Sequence, residues 1–110
     1  MPRYKDQLQG TLDLLVLRTL RTGGSLHGYA IAERIKLVSR EALRVEEGSL
    51  YPALHRMEEA GWLKSVWGLS DNKRRVRYYT MTTGGQRELG QVEAEWTKLV
   101  SGVASILKQA

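Results

Sequence analysis

Residues 46–62, EEGSLYPALHRMEEAGW, and the basic run 73–79 that follows shortly after them, KRRVRYY, decide how this chain is read. The first stretch predicts a short amphipathic helix that starts at Gly48 or Ser49 and stops at Gly61. Leu50, Leu54 and Met57 recur at spacings of 4 and 3, which puts them on one inward face. Tyr51, Ala53, His55 and Arg56 then point elsewhere. Pro52 fits such a helix near its first turn, where its missing N–H has no intrahelical partner to lose. The second stretch predicts one arm of a hairpin with a cationic tip.

Working outward, Leu63–Trp67 and Val76–Thr82 are rich in β-formers and flank the turn-like Gly68–Lys73. They predict a two-stranded hairpin. Upstream, Leu12, Leu15, Val16, Leu17 and Leu20 face nearly every direction, so Leu8–Arg21 predicts a helix buried on more than one side. Thr22–Ser25 ends it, and Ser25 is the expected N-cap of a second helix over Leu26–Ser39. Ala30, Ile31, Ile35 and Val38 form the apolar stripe of that helix. Leu43-Arg44-Val45 alternates and predicts a brief extended segment. Three helices followed by a hairpin is the winged helix-turn-helix order. The fold class is mainly α with a β-hairpin wing, that is α+β, with the third helix as reader and the hairpin as wing.

From Gly84 onward Leu89, Val92, Trp96, Leu99, Val103 and Ile106 are spaced 3, 4, 3, 4 and 3. That is a heptad seam, widened by Val100 and Leu107. A neutral helix with this seam either folds back on its own domain or pairs with a second copy; pairing is the expectation, because the preceding residues already make a small domain. The expected division is 1–82 for the DNA-binding part and 83–110 for a C-terminal dimerisation helix.

Charge follows the same division. Of the net +5, residues 1–82 carry 14 Lys/Arg against 9 Asp/Glu, and residues 83–110 carry 3 of each. A basic module joined to a neutral amphipathic tail points to a polyanion for one and self-association for the other. Cysteine is absent, which excludes disulfides, Cys-type zinc sites and a thiol nucleophile. The polar start MPRYKDQLQG has no signal-peptide apolar region, and no run approaches a membrane span of about 20 residues. The expectation is a soluble cytoplasmic protein with no membrane partner. His27 and His55 are the only histidines and neither has a metal-ligand partner at i+4. No nucleophile or phosphate-loop motif is present. No catalysis, metal or cofactor is expected.

Lys and Arg supply most of the affinity for duplex DNA by releasing its counterions. Lys73, Arg74, Arg75 and Arg77 on one hairpin suit the phosphate backbone or the minor groove, where the alternative is a solvated turn. Ser49 and Tyr51 are candidate phosphate donors, and His55 and Arg56 candidate readers of base edges. Against this, Tyr51 can pack on the domain, Arg56 can pair with Glu59 or another acid, and His55 can be passively exposed. Two copies would set their reading helices about 34 Å apart on an inverted-repeat operator. Trp96, mid-seam, either anchors the dimer or faces its mate and stacks a planar aromatic effector. Trp62 and Trp67 are expected to cover the base of the wing. The competing function is a winged-helix adaptor that binds protein rather than DNA, a role that has no need of four cations on one hairpin.

Leu12–Leu17 (LDLLVL), His27–Ile31 (HGYAI), Gly48–Leu54 (GSLYPAL) and Leu63 through Arg77-Tyr78-Tyr79 together resemble the PadR-type transcriptional regulators. The resemblance covers about residues 8–107. It implies a winged-helix homodimer joined by the C-terminal helix, usually a repressor, and it resembles the short members with a single such helix. It also implies that Tyr29 contacts phosphate, where the alternative is an aromatic at the core edge. Family members usually follow Tyr-Tyr with a basic residue and Leu-Thr; this chain has Thr80-Met81-Thr82, which removes a cationic group near the wing. The Gly84-Gly85 pair leaves the start of the last helix open.

Overall fold

The computed structural model describes residues 4–109. Met1, Pro2, Arg3 and Ala110, which the sequence reading takes as the polar lead-in and the end of the last unit, lie outside the described residues. Helix α1 (Tyr4–Gly23) leads to a two-residue strand β1 (Leu26–His27), then α2 (Gly28–Val38), α3 (Glu47–Glu59), the hairpin strands β2 (Leu63–Leu69) and β3 (Arg75–Met81), and α4 (Thr83–Leu107).

The helices bury most of the faces that their spacing predicts, except that Ala53, expected to point away from the inner face of α3, is also buried. Val16, Leu17 and Leu20 of α1 meet Ile31 and Ile35 of α2 and Leu50, Ala53, Leu54 and Met57 of α3 in one core, closed by Leu63, Tyr79 and Leu89. Val38, expected on the inner stripe of α2, is instead 74% exposed at the end of that helix. α3 begins one or two residues before the expected start, so Pro52 is its sixth residue rather than part of its first turn. A helix-interior proline removes the bond to the carbonyl four residues back. Here that carbonyl belongs to exposed Gly48, where solvent can serve it.

Two local expectations are corrected. The sheet has three strands, not two: Leu26 and His27 pair antiparallel with Tyr79 and Tyr78, giving the order β1-β3-β2. The second helix therefore starts at Gly28 instead of Leu26, and its N-cap is His27 rather than Ser25. His27 Nδ1 accepts the Ala30 N–H at 3.2 Å. A two-residue strand exists only because its partner is already there, so no period in the sequence announces it. Leu43-Arg44-Val45 leads into α3 outside any sheet; before it Arg40 and Glu41 turn the chain in the left-handed region (φ 54° and 65°) and Ser39 Oγ accepts the Leu43 N–H.

Two glycines mark close approaches. A β-carbon on Gly28 would lie 2.5 Å from Cε1 of Tyr51, so the Tyr51 ring lies directly on the start of α2. A β-carbon on Gly85 would collide with the Trp62 carbonyl oxygen. Gly85 thus lets α4 start tight against the base of the wing, with Thr82 Oγ1 accepting the Gly85 N–H and donating to the Gly61 carbonyl. The glycine pair that left this helix start open lies in its first turn.

Candidate nucleic-acid interface

The inward face of α3 is fixed by Leu50, Leu54 and Met57, so Ser49, Tyr51, Pro52, His55 and Glu59 are left on the outside. Ser49 is exposed at the helix start. Tyr51 is half-exposed, and burial of its other half against Gly28, followed by the nearby Glu47, raises its hydroxyl above the usual tyrosine range. It stays a neutral donor at physiological pH. Tyr29 stands exposed on the first turn of α2, its ring 6.5 Å from that of His27. Behind it His27 meets Tyr78 edge-on at 5.4 Å.

His55 and Arg56 have different fates. His55 Nε2 lies 2.7 Å from Glu59 Oε1, both side chains mostly exposed. Exposed pairs of this kind contribute about 0–1 kcal/mol, so His55 is easily released to another partner. Arg56 is held: its guanidinium makes two hydrogen bonds to Asp13 of α1, at 2.6 and 3.2 Å, and the Asp13 side chain is only 9% exposed. The Arg56 side chain is itself 36% exposed, so solvent screens the pair on one side while the bidentate geometry holds it. Arg56 thus braces α3 against α1, the acid-paired alternative of the sequence reading, with Asp13 as the acid instead of Glu59. The sequence signal for its partner was Asp13 itself, one acid inside an otherwise apolar run.

The wing carries the cations. Ser70 and Arg74 close its turn, with Lys73 at φ 60° at the tip. Among the described residues Lys73, Arg74 and Arg75 make no ion pair. Arg77 is tied towards α3: its Nε donates to Ser65 Oγ at 3.1 Å and its Nη2 lies 3.7 Å from Glu58. Trp62 is partly buried at the wing base, as expected, but Trp67 is not. It stands on the outer half of the hairpin, 56% exposed.

α4 divides in two. Leu89 is buried in the chain's own core, so it is removed from the expected intermolecular seam. Val92 is half-buried, and Arg18 of α1 pairs with Glu93 at 3.2 Å. Beyond this point Trp96, Leu99, Val103 and Ile106 are exposed, together with Val100 and Leu107. Trp96 also borders a groove of about 480 Å³ between α1, α2 and α4, lined by Leu14, Leu15, Ile35 and Val38 among others. Near the start of α4, burial first and then Asp13 and Glu95 push the Glu88 carboxyl above its usual range. A raised carboxyl pKa means that the folded chain gains stability as pH falls and loses it as pH rises through that value. Glu88→Gln is expected to melt higher than the unchanged chain at pH 7, the gap closing below about pH 4. A gap of constant size across that range would remove the desolvation argument.

Among the described residues there is no His/Cys/Asp/Glu group that fits a metal ion, and no helix is long and apolar enough to cross a membrane.

A family model described as the transcriptional regulator PadR-like family matches residues 16–91. Among solved structures, a transcriptional regulator from Clostridium thermocellum is 31% identical, covers 94% of this chain and 99% of its own, and superposes with a TM-score of 0.79. A PadR family transcriptional regulator from Eggerthella lenta is 36% identical, with 94% and 88% covered and a TM-score of 0.75. A transcriptional regulator of Mycobacterium tuberculosis is 38% identical over 64 residues, 58% of this chain and 56% of its own.

Proposed function

The chain belongs to the PadR-like family of transcriptional regulators, and from that premise we propose that it binds double-stranded DNA as a homodimer at an inverted-repeat operator and acts as a repressor. The family and its relatives are regulators, not enzymes. The observation that carries DNA binding is the wing: Lys73, Arg74 and Arg75 extend into solvent without an ion-pair partner among the described residues, beside the exposed face of α3. On this reading Tyr29, Ser49 and Tyr51 donate to phosphates, His55 exchanges Glu59 for the groove, and the wing cations including Arg77 track the backbone. Arg56 positions the reading helix.

Residues 1–82 are the DNA-binding unit and 83–110 the dimerisation helix, with the first turns of that helix lent to the core of the first unit. The exposed row Trp96, Leu99, Val103 and Ile106 supports pairing, because contiguous apolar surface of this kind marks an interaction site. A planar aromatic effector at Trp96 is the finer part of the proposal. It is supported by an indole that is 42% exposed beside a groove of ligand size.

The test is binding of the purified protein to duplex from its own upstream region, against a scrambled duplex, across a salt series. The expected result is a preference for the upstream DNA that survives 0.15 M salt, with log K falling linearly in log salt. Weak binding, equal on both duplexes and lost with salt, would return the chain to the adaptor reading.

A further inference from the structure

The outer half of the wing places an indole where a wing needs only cations. Strand register sets Leu69 opposite Arg75, Trp67 opposite Arg77, Ser65 opposite Tyr79 and Leu63 opposite Met81. Alternation puts all eight on one face, which runs from the core at Leu63 out to solvent at Leu69. Trp67 sits between the two arginines. The guanidinium carbon of Arg75 lies 4.6 Å from its ring centroid and that of Arg77 lies 5.2 Å away. Arg77 is the directly opposite neighbour and Arg75 the diagonal one, and an indole is long enough to reach both.

Two cations two residues apart on one strand face repel each other, and free arginine side chains sample many rotamers. The negative face of the indole opposes both effects by attracting each guanidinium. Stacking uses the flat face of a guanidinium and spares its N–H edge, so Arg75 keeps its donors for a phosphate and Arg77 keeps those not given to Ser65 and Glu58. Arg77 is fixed a second time, from the core side, through Ser65, which itself donates to Glu58 at 2.7 Å.

We propose that Trp67 is a positioning residue of the DNA interface: its indole holds Arg75 and Arg77 as one pre-set cationic pair, so that the wing meets the phosphate backbone with its donors already aimed. The proposal rests on the DNA-binding reading above and adds a residue that carries no charge of its own. Ordering these side chains before contact removes a cost that binding otherwise bears.

The experiment compares the full-length chain with Trp67→Leu, Trp67→Phe and the quadruple variant Lys73→Gln/Arg74→Gln/Arg75→Gln/Arg77→Gln. Each is titrated on the upstream duplex across a salt series, and the Arg Nε–H resonances are recorded without DNA. Trp67→Leu leaves every charge in place. Its affinity is nevertheless expected to fall about ten-fold at fixed salt, with a salt slope shallower by about one. Ring-current shifts of Arg75 and Arg77 should vanish with it. Trp67→Phe should retain most of the affinity, slope and shifts, which a purely structural loss would not predict and which serves as the readout if the leucine variant folds poorly. Affinity and slope unchanged in Trp67→Leu, with binding lost in the quadruple variant, would overturn the positioning role and leave the DNA interface standing. Absence of duplex binding by the unchanged chain, or full binding by the quadruple variant, would overturn the interface itself and the positioning role with it.

Discussion

Replacing Lys73, Arg74, Arg75 and Arg77 by Gln is expected to weaken duplex binding roughly a thousand-fold at 0.15 M salt, and to flatten the dependence of log K on log salt by about 3.6 per protomer. The figure follows from four lost phosphate contacts, each releasing about 0.9 of a counterion. The fold should lose little by it. All four side chains are exposed, and the one ion pair removed, Arg77 with Glu58 at 3.7 Å, is of a kind that contributes at most about 1 kcal/mol. The variant also loses both guanidinium contacts to Trp67, so its thermal melting should fall by several degrees at most, while its sedimentation should match the unchanged chain. Duplex affinity that survived the change would move the interface off the wing.

Leu99→Asp combined with Val103→Asp is expected to convert the proposed dimer to a monomer over the whole accessible concentration range. In a symmetric pair the double change sends four carboxylates into an apolar seam. It also removes two leucine and two valine side chains from burial, each worth about 1.5–3 kcal/mol. A dissociation constant raised by at least about 10⁴-fold is the minimum such a loss implies. The monomer should still fold, because Leu99 and Val103 are 41% and 48% exposed within the single chain. Binding to the full operator should drop to that of one half-site. Leu89→Asp is the contrasting variant: Leu89 is 1% exposed inside the chain's own core, so that change should unfold the protein instead of separating it. Analytical ultracentrifugation beside circular dichroism distinguishes the two outcomes. A dimer that persists through the double change would place the contact elsewhere than the second half of α4.

Much of the fold was legible because it depends on near neighbours in the chain. Leu50, Leu54 and Met57 face inward in the structure as their spacing demands, and Gly61 at φ 85° ends that segment as a glycine stop should. The KRRVR run announces a cationic hairpin wherever the hairpin goes. The start of α4 could not be placed from Gly84-Gly85, since the use of Gly85 is only evident once the Trp62 carbonyl lies against it.

The sequence by itself determined which faces are apolar, where helices and turns alternate, and that the excess positive charge gathers before residue 83. These are consequences of periodicity, turn chemistry and counting, all local. Only the tertiary structure decided what each polar side chain does with its chemistry. Arg56 is spent on Asp13, 43 residues away. His27 becomes both a strand residue and a helix cap because β3 lies beside it. Leu89 is taken by the core, and Trp67 is set between two arginines across a hairpin. The physical reason is common to all four: a side chain's partner is chosen by distance in space. Helix and strand periods fix only the direction in which a side chain leaves the backbone, and not what it meets there.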